Sequence, residues 1–350
     1  MIVKGDDREA LLLDRCLKSL KGHVDKFFIT ITQKNKKVEY VCKKYKANVS
    51  FFEWMNDFSR ARNFNFSTVT SEYDFIGWSD ADDIVKGSEN IREIVKKMQE
   101  MKIDAGVMHY LYDFDEYGRC TVKHLKTRIV KNDGCVKWVG KLHEDFQETR
   151  NISQYMIDDV EIIHLTDEKR AKQSSDRNSE IALQEEIDNP DDPRSIWLSA
   201  NAYMAKNDTK NACKKYKEFI ELSNSDEEKY IALLNIAEIE NSSEYALKAL
   251  ELRPNYPNAY HKIAEISYKN NRKERALEFI EIGLQLPKPE FGIIVYNPRD
   301  YDYNPLMLMM RIFFDLGKVD KALKIVDTLL TLYPKDKNLI NKKKIGRAHV

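Results

Sequence analysis

The chain has 350 residues, in which 57 Lys and Arg are balanced by 57 Asp and Glu, and its mean hydropathy is −0.58. This length exceeds the roughly 100 to 200 residues of a typical domain, so we expect two domains. A formal net charge of zero is not that of a nonspecific nucleic-acid binder, and we expect no nucleic-acid partner. The content of 42% hydrophobic and 33% charged residues excludes a disordered or fibrous chain.

The cysteines and the apolar runs indicate the cell compartment. The five cysteines are scattered without a CxxC pair, which predicts neither a zinc ribbon nor a disulfide framework. No apolar run approaches the roughly 18 residues of a transmembrane helix, and the N-terminus lacks the apolar core of a signal peptide. We therefore expect a cytoplasmic protein with no transmembrane segment. Residues 345–350 read as a translated sequencing adapter, so we expect them to be a non-native tail.

The first half of the chain alternates strand-like and helical segments. A strand over residues 1–4 precedes a helix over 8–21, a strand over 27–32, a helix over 36–46, a strand over 48–54, a helix over 59–70 and a strand over 73–78. A helix near 88–101, strands near 104–112 and 120–131, and a strand over 159–165 complete this half. The alternation predicts an α/β domain over residues 1–170 with a sheet built from βαβ units.

The second half predicts helices almost exclusively. Residues 171–193 are polar and end in Asn-Pro-Asp-Asp-Pro, which predicts a connecting helix and a turn. Over residues 194–340, apolar and small residues recur in pairs of helices at the spacing of the 34-residue tetratricopeptide repeat, and Asn271 falls in the turn of one pair. This predicts an all-α solenoid, whose concave face could bind a protein partner.

Acidic residues directly follow the apolar strand that ends at Trp78. The triplet Asp80-Ala81-Asp82 places two carboxylates on one turn, where they could share a divalent cation with a diphosphate. Open α/β sheets bind ligands at this edge. A solvated turn is the ordinary alternative for such a triplet, but the apolar residues Phe75 and Ile76 that lead into it favour a binding site.

Five ordered segments resemble glycosyltransferase family 2: residues 1–4, 52–54, 57–63, 78–83 and 138–144. The resemblance covers about residues 1–170, and the repeats also look like the tail of many such bacterial and phage enzymes. It implies a GT-A fold, the Rossmann-like fold of nucleotide-diphospho-sugar transferases. It further implies a metal-dependent, inverting hexosyltransferase-like enzyme that moves a sugar from a nucleotide sugar, with a UDP-sugar expected, to a glycan or protein acceptor.

The resemblance also implies roles on the donor side. Asp80 matches the carboxylate that contacts the donor ribose, and Asp82 matches the one that binds Mn²⁺ or Mg²⁺, with Asp80 beside it. His164 matches a histidine that often completes the metal coordination. Arg62 would approach the nucleotide, a role that also suits a cation facing a diphosphate. Structural alternatives remain, because Arg62 could pair with Asp57 or Glu53 at the surface, and His164 could simply end a buried strand.

On the acceptor side, Glu144 is the candidate general base, a carboxylate that must reach the acceptor hydroxyl. His143 is the neighbouring alternative, unless it is structural. Where the family usually has Asp-Thr-Gly-Ser-Thr-Asp after the second strand, this chain has Ile-Thr-Gln-Lys-Asn-Lys, so the aspartate that commonly recognises uracil is absent. Asp6, Thr30 and Thr32 are candidates for the contact with the base instead.

A different class of function is the alternative. The altered second-strand loop is compatible with a catalytically degenerate transferase domain whose repeats serve as a protein-interaction module. The retained Asp80, Asp82, Arg62 and Glu144 favour the enzyme, because crowded carboxylates repel one another and an abandoned site has no physical reason to keep them.

Overall fold

The computed structural model describes residues 1–165, 168–288 and 297–348. They divide into two compact units, the first made of Met1–Asp113 and Lys123–Ile181 and the second of Phe114–Val122 and the chain from Ala182 onward. Residues 349 and 350 of the expected non-native tail lie outside the described residues. None of the helices in these ranges is both long enough and apolar enough to cross a bilayer.

The first unit begins with the predicted alternation. Its elements are β1 (Ile2–Val3), α1 (Asp7–Leu20), β2 (Phe28–Ile31), α2 (Lys36–Lys44), β3 (Asn48–Phe51), α3 (Phe58–Ser67) and β4 (Phe75–Gly77). It continues with β5 (Asp83–Lys86), α4 (Ile91–Glu100), β6 (Ala105–Phe114), β7 (Cys120–Lys131), β8 (Val136–Val139), β9 (Asp145–Glu148) and β10 (Gln154–His164), and α5 (Glu168–Asp188) follows. The four-residue strands β5, β8 and β9 were not predicted from the sequence.

Side-chain caps explain where the early helices begin. The carboxylate of Asp6 accepts a hydrogen bond from the Glu9 amide at the start of α1, and that of Asp57 accepts one from the Arg60 amide at the start of α3. Such caps satisfy amides that have no partner inside the helix. The apolar face of α1 packs in one core with β2, and its Leu13 is fully buried.

The strands form a parallel part and a mixed part. Strands β1, β2 and β3 lie in this order and pair in parallel, while the other sheet has the order β4-β7-β6-β10-β5. In that sheet β10 is parallel to β6, but β4 is antiparallel to β7 and β5 is antiparallel to β10. The prediction of βαβ units therefore holds for the first three strands. No helix separates β4 from β5 or β6 from β7, so these strands do not belong to βαβ units, and β6 and β10 pair in parallel through a connection that contains only strands.

The second unit is a series of helical pairs. Its helices are α6 (Pro193–Ala205), α7 (Thr209–Leu222), α8 (Asp226–Glu240), α9 (Ser243–Leu252), α10 (Pro257–Lys269), α11 (Lys273–Gln285), α12 (Tyr303–Asp315), α13 (Val319–Leu332) and α14 (Lys337–Ala348). The four pairs from α6 to α13 each turn at a residue with a left-handed φ of 49° to 68°, namely Asn207, Asn241, Asn271 and Gly317. Asparagine and glycine tolerate this conformation best, and the predicted turn at Asn271 is confirmed.

A fully buried alanine follows each of these turn residues at the same distance along the chain. The alanines are five positions downstream, at Ala212, Ala246, Ala276 and Ala322, and each is 0% exposed. A small side chain there lets the second helix of a pair lie close to its neighbours. The repeated turn and alanine therefore confirm the predicted solenoid from the packing itself.

Candidate functional site

The acidic turn lies between β4 and β5, at the carboxyl end of β4. The Asp83 amide donates a hydrogen bond to the Asp80 carbonyl over 3.1 Å, and the Trp78 amide donates one to the Arg128 carbonyl of β7 over 3.0 Å. Asp82 is 4% exposed and Asp83 is 0% exposed. The turn is therefore part of the folded core of the sheet edge, unlike the solvated turn considered as an alternative.

Three side chains at this turn could hold a metal ion: Asp82, Asp83 and His164. The Nδ1 atom of His164 lies 3.6 Å from Oδ1 of Asp82 and 3.4 Å from Oδ1 of Asp83, and the three potential ligand atoms lie within 4.8 Å of one another. The structure thus brings together the predicted Asp82 and His164. The third member of the cluster is Asp83, which the sequence did not single out, and the carboxylate of Asp80 contacts Arg62 instead.

Asp83 organises its neighbours. Its Oδ2 atom accepts hydrogen bonds from the Asp80 amide (2.9 Å), the Ser79 hydroxyl (3.1 Å) and Arg128 (3.3 Å). Its Oδ1 atom accepts one from the Tyr110 hydroxyl over 3.1 Å. Both oxygens are therefore occupied by protein donors, which suits Asp83 to hold the turn, and the Tyr110 hydroxyl also lies 2.9 Å from Nδ1 of His164.

Arg62 lies inside the site. It is 6% exposed, and its guanidinium lies between the rings of Trp78 (4.5 Å) and Trp138 (5.0 Å). It donates hydrogen bonds to Asp80 over 2.8 Å and to Glu144. Surface pairing with Asp57 does not occur. One arginine therefore joins the predicted donor-side carboxylate to the predicted general base.

Helix α3 also anchors the β8–β9 hairpin that carries Glu144. The side-chain amide of Asn63 donates to the Trp138 carbonyl over 2.8 Å and accepts from the Trp138 amide over 3.0 Å. Glu144 is 9% exposed, at the end of the loop before β9. His143 beside it is exposed and has a left-handed φ of 48°. The fold thus directs Glu144, and not His143, into the site.

Electrostatics follow from this burial. Burial alone would raise the pKa of Asp80, but the charges of Arg62 and Arg128 and the hydrogen bond from Arg62 hold it well below its usual range. For His164, burial would lower the pKa, yet the hydrogen bond with Asp83 and the charge of Asp82 outweigh it and raise the pKa. The cluster therefore attracts positive charge.

The three candidates for base recognition lie in different surroundings. Thr30 is 0% exposed, and its hydroxyl is hydrogen-bonded to Ser50 (2.7 Å) and Asn65 (3.0 Å). Thr30 therefore has no surface to offer a nucleotide. Asp6 caps α1 with a side chain that is 43% exposed, and Thr32 is half-buried, with its hydroxyl donating a hydrogen bond to the Val3 carbonyl over 3.4 Å.

Strand β7 contributes basic residues that the sequence analysis missed. Arg128 is 1% exposed and lies 3.8 Å from the Trp78 ring and 4.3 Å from the Tyr110 ring. His124 and Lys126 precede it at alternate positions, and alternate residues of a strand share a face. A basic residue at every second position of a predicted strand was the sequence signal that would have indicated this face.

The residues present fit a divalent cation. Four carboxylates, those of Asp80, Asp82, Asp83 and Glu144, lie in or beside the cluster, and buried carboxylates need a balancing charge. Arg62 and Arg128 supply two positive charges, so a divalent ion would balance the rest. One carboxylate and one imidazole oriented by neighbours are donors that Mn²⁺ accepts.

The architecture is an α/β sheet with a buried acidic turn at its edge and an Asp-Asp-His cluster that could hold a metal ion, and open α/β sheets bind ligands at this edge. Comparison with known families identifies it further, because residues 8–166 match the family described as Glycosyl transferase family 2. The first half of the chain is therefore a domain of glycosyl transferase family 2, as its ordered motifs predicted. The family supports glycosyltransferase activity in general.

Solved structures resemble the chain only distantly. PilF of Pseudomonas aeruginosa is 15% identical with a TM-score of 0.39, over 52% of this chain and 77% of that chain. MamA is 19% identical with a TM-score of 0.36, over 53% of this chain and 99% of that chain. A thermophilic tetratricopeptide repeat protein of Thermus thermophilus is 15% identical with a TM-score of 0.37, over 51% of this chain and 94% of that chain. No curated protein matches this sequence.

Proposed function

We propose that the protein is a metal-dependent, inverting glycosyltransferase. It would move a sugar from a nucleotide sugar, with a UDP-sugar as the expected donor, to a glycan or protein acceptor. The observation that carries this proposal is the buried Arg62, which binds Asp80 and Glu144 at once beside the pair Asp82 and His164. This arrangement supports a donor site and an acceptor site that share one reaction centre.

On the donor side, Asp82 and His164 would hold Mn²⁺ or Mg²⁺, and Asp83 would keep both in place. The ion would supply positive charge for the departing diphosphate. Asp80 would contact the donor ribose, with Arg62 fixing the direction of its carboxylate. Asp6 and Thr32 remain candidates for contact with the base.

On the acceptor side, Glu144 would take the proton of the acceptor hydroxyl. The hydroxyl oxygen would then form a bond to the anomeric carbon, while the bond from that carbon to the diphosphate breaks and the diphosphate leaves with the electron pair. Attack from the opposite face in one step inverts the configuration. The hydrogen bond from Arg62 orients the Glu144 carboxylate for this role.

We further propose that residues 1–170 are the catalytic domain, that residues 171–193 are a linker, and that the repeats over 194–340 present an acceptor or a protein partner. A cytoplasmic location is part of this proposal. The five cysteines, all in described parts of the chain, form no disulfide, which is compatible with a reducing compartment.

Thermal unfolding with nucleoside diphosphates tests the proposal. A ligand that binds only the folded protein raises the unfolding temperature, by the equivalent of about 2.7 kcal/mol at 100 times its Kd. We expect one nucleoside diphosphate to stabilise the wild type only when Mn²⁺ is present, and Asp82→Ala to abolish this effect. Asp158→Ala, which removes an aspartate with a 76% exposed side chain in the same unit, is the matched control.

Two results would count against a transferase. If Asp82→Ala binds as the wild type does, the acidic turn is not the metal site. If no nucleoside diphosphate stabilises the wild type with Mn²⁺, the degenerate interaction module becomes the better account of the chain.

A further inference from the structure

Strand β7 presents basic side chains to the acidic turn. His124, Lys126 and Arg128 occupy alternate positions and therefore share one face of the strand. Arg128 donates a hydrogen bond to Asp83 over 3.3 Å, which places this face against the turn. The ring of Tyr110 lies within 4.3 Å of the Arg128 guanidinium and 5.0 Å from the His124 ring. The proposed reaction as described above uses neither Lys126 nor His124.

Lys126 is a partly buried cation with no protein partner. Among residues 1–165, 168–288 and 297–348, no carboxylate forms an ion pair with its ammonium and no acceptor forms a hydrogen bond with it. Burial and the charges of Arg128 and Arg62 lower its pKa, against the opposing effect of Asp145 and Glu144. Lys126 thus lies among the charged groups of the site. Its ammonium is attracted by Asp145 and Glu144 but forms an ion pair with neither, which leaves it available to a bound anion.

His124 adds a second unsatisfied polar group beside it. Both ring nitrogens are buried, and neither has a hydrogen-bond partner in the part of the chain that the structure describes. Burial, reinforced by the charges of Lys126 and Arg128, lowers the pKa of His124 to about 3, so the ring is neutral and carries one N–H. The neutral, buried ring adds no charge of its own, so Lys126 and Arg128 are the cations that this face of β7 presents.

The charge balance of the whole site indicates what kind of ligand is missing. The carboxylates of Asp80, Asp82, Asp83 and Glu144, together with that of Asp145 near Lys126, face three cations, those of Arg62, Arg128 and Lys126. A divalent ion on the cluster would therefore balance the charges of the site before a donor is bound. A donor diphosphate adds negative charge to this balance, and Lys126, which forms no ion pair in the described parts of the chain, is a cation that would offset it.

We propose that Lys126 is a second cationic contact for the leaving diphosphate. The phosphate oxygens would then be held between β7 and the acidic turn. This inference deepens the proposed function and rests on it, since the diphosphate belongs to the nucleotide-sugar donor. It adds to that function a catalytic residue and a phosphate-binding face on β7.

Calorimetric titration with inorganic pyrophosphate in Mn²⁺ tests this contact without knowledge of the base or the sugar. We expect the wild type to bind pyrophosphate and Lys126→Met to bind it at least about tenfold more weakly, because hydrogen bonds to charged groups are the strong ones. Lys126→Arg should keep most of the affinity. Lys123→Met removes a lysine from the opposite face of the same strand, where its charge acts on His109, and it should bind like the wild type.

The outcomes separate this inference from the proposed function. If the wild type binds pyrophosphate and Lys126→Met binds it within twofold, the contact is refuted while the donor site stands. If the wild type binds no pyrophosphate in Mn²⁺, both the donor site and the contact are refuted. Titration of each variant with Mn²⁺ alone should give the wild-type affinity, and Lys126→Gln provides a second neutral variant should Lys126→Met fail to fold.

Discussion

Replacement of Arg62 by methionine should destabilise the first unit strongly. The change removes the guanidinium between Trp78 and Trp138 but keeps an apolar chain, so that Asp80 and Glu144 remain in the site without their shared cation. Removal of one partner of a buried ion pair typically costs about 3–5 kcal/mol. Because the Asp80 side chain is 30% exposed, we expect the lower end, about 3 kcal/mol at pH 7.

The loss of stability in Arg62→Met should become smaller as the pH falls. In the wild type the folded-state pKa of Asp80 is held well below its usual value by Arg62 and Arg128, against the effect of burial. That stabilisation is complete above the unfolded pKa of about 4 and is lost as the pH falls through the folded value. In Arg62→Met the carboxylate can be protonated at higher pH. The difference between the two proteins should therefore shrink below about pH 4.

Urea unfolding followed by tryptophan fluorescence measures this difference, since Trp78 and Trp138 contact Arg62 directly. Arg60→Met is the matched control on the same helix, because Arg60 is 66% exposed and pairs with Asp57 over 3.4 Å. Exposed pairs contribute about 1 kcal/mol or less. If Arg62→Met and Arg60→Met lower the stability equally, or if the Arg62→Met deficit grows on acidification, the buried bridge does not act as described.

Two further predictions concern other parts of the fold. Gly87→Ala places a Cβ 2.1 Å from the Asp159 carbonyl oxygen, whereas Gly134→Ala, at the same φ of 77°, meets nothing within 4 Å. Gly87→Ala should therefore lower the unfolding temperature much more than Gly134→Ala, and equal shifts would contradict the close approach of Gly87 to the Asp159 carbonyl. In the repeats, burial lowers the pKa of His261 to about 4, so below about pH 6.5 the unfolded chain takes up a proton that the folded chain does not. The free energy of unfolding should therefore fall by about 2 kcal/mol between pH 7 and pH 5. Thermal unfolding at the two pH values should show that His261→Leu removes this fall. An unchanged pH dependence in His261→Leu would contradict the prediction.

Much of the fold was predictable because local patterns and tertiary packing agree. The helices α1 to α4 were predicted within a few residues, since apolar spacing and caps such as Asp57 mark them in the sequence. Strands β5, β8 and β9 were missed, whereas β2 and β3, which also have four residues, were predicted. Each depends on a partner: β5 pairs with the distant β10, and β8 pairs with β9.

The sequence indicated candidate residues for the site but not the contacts that they form with one another. Ordered motifs pointed to Asp80, Asp82, Arg62 and Glu144, yet the bridge from Arg62 joins positions 18 and 82 residues away. Sequence spacing does not reveal such pairs, because the folding of the sheet brings them together. Asp83 was overlooked for the same reason, since only the fold places Tyr110 and Arg128 against it.

The most direct test of the account is turnover. Release of nucleoside diphosphate from a panel of nucleotide sugars, with Mn²⁺ and a candidate glycan or protein acceptor, should occur with the wild type. Glu144→Gln should slow it by about 100-fold or more, because a general base typically contributes 10²–10⁴-fold, while metal-dependent binding of the nucleotide is kept. Turnover by Glu144→Gln at the wild-type rate would contradict the role of Glu144. A wild type that binds no nucleotide sugar and releases no nucleoside diphosphate would contradict the proposed transferase.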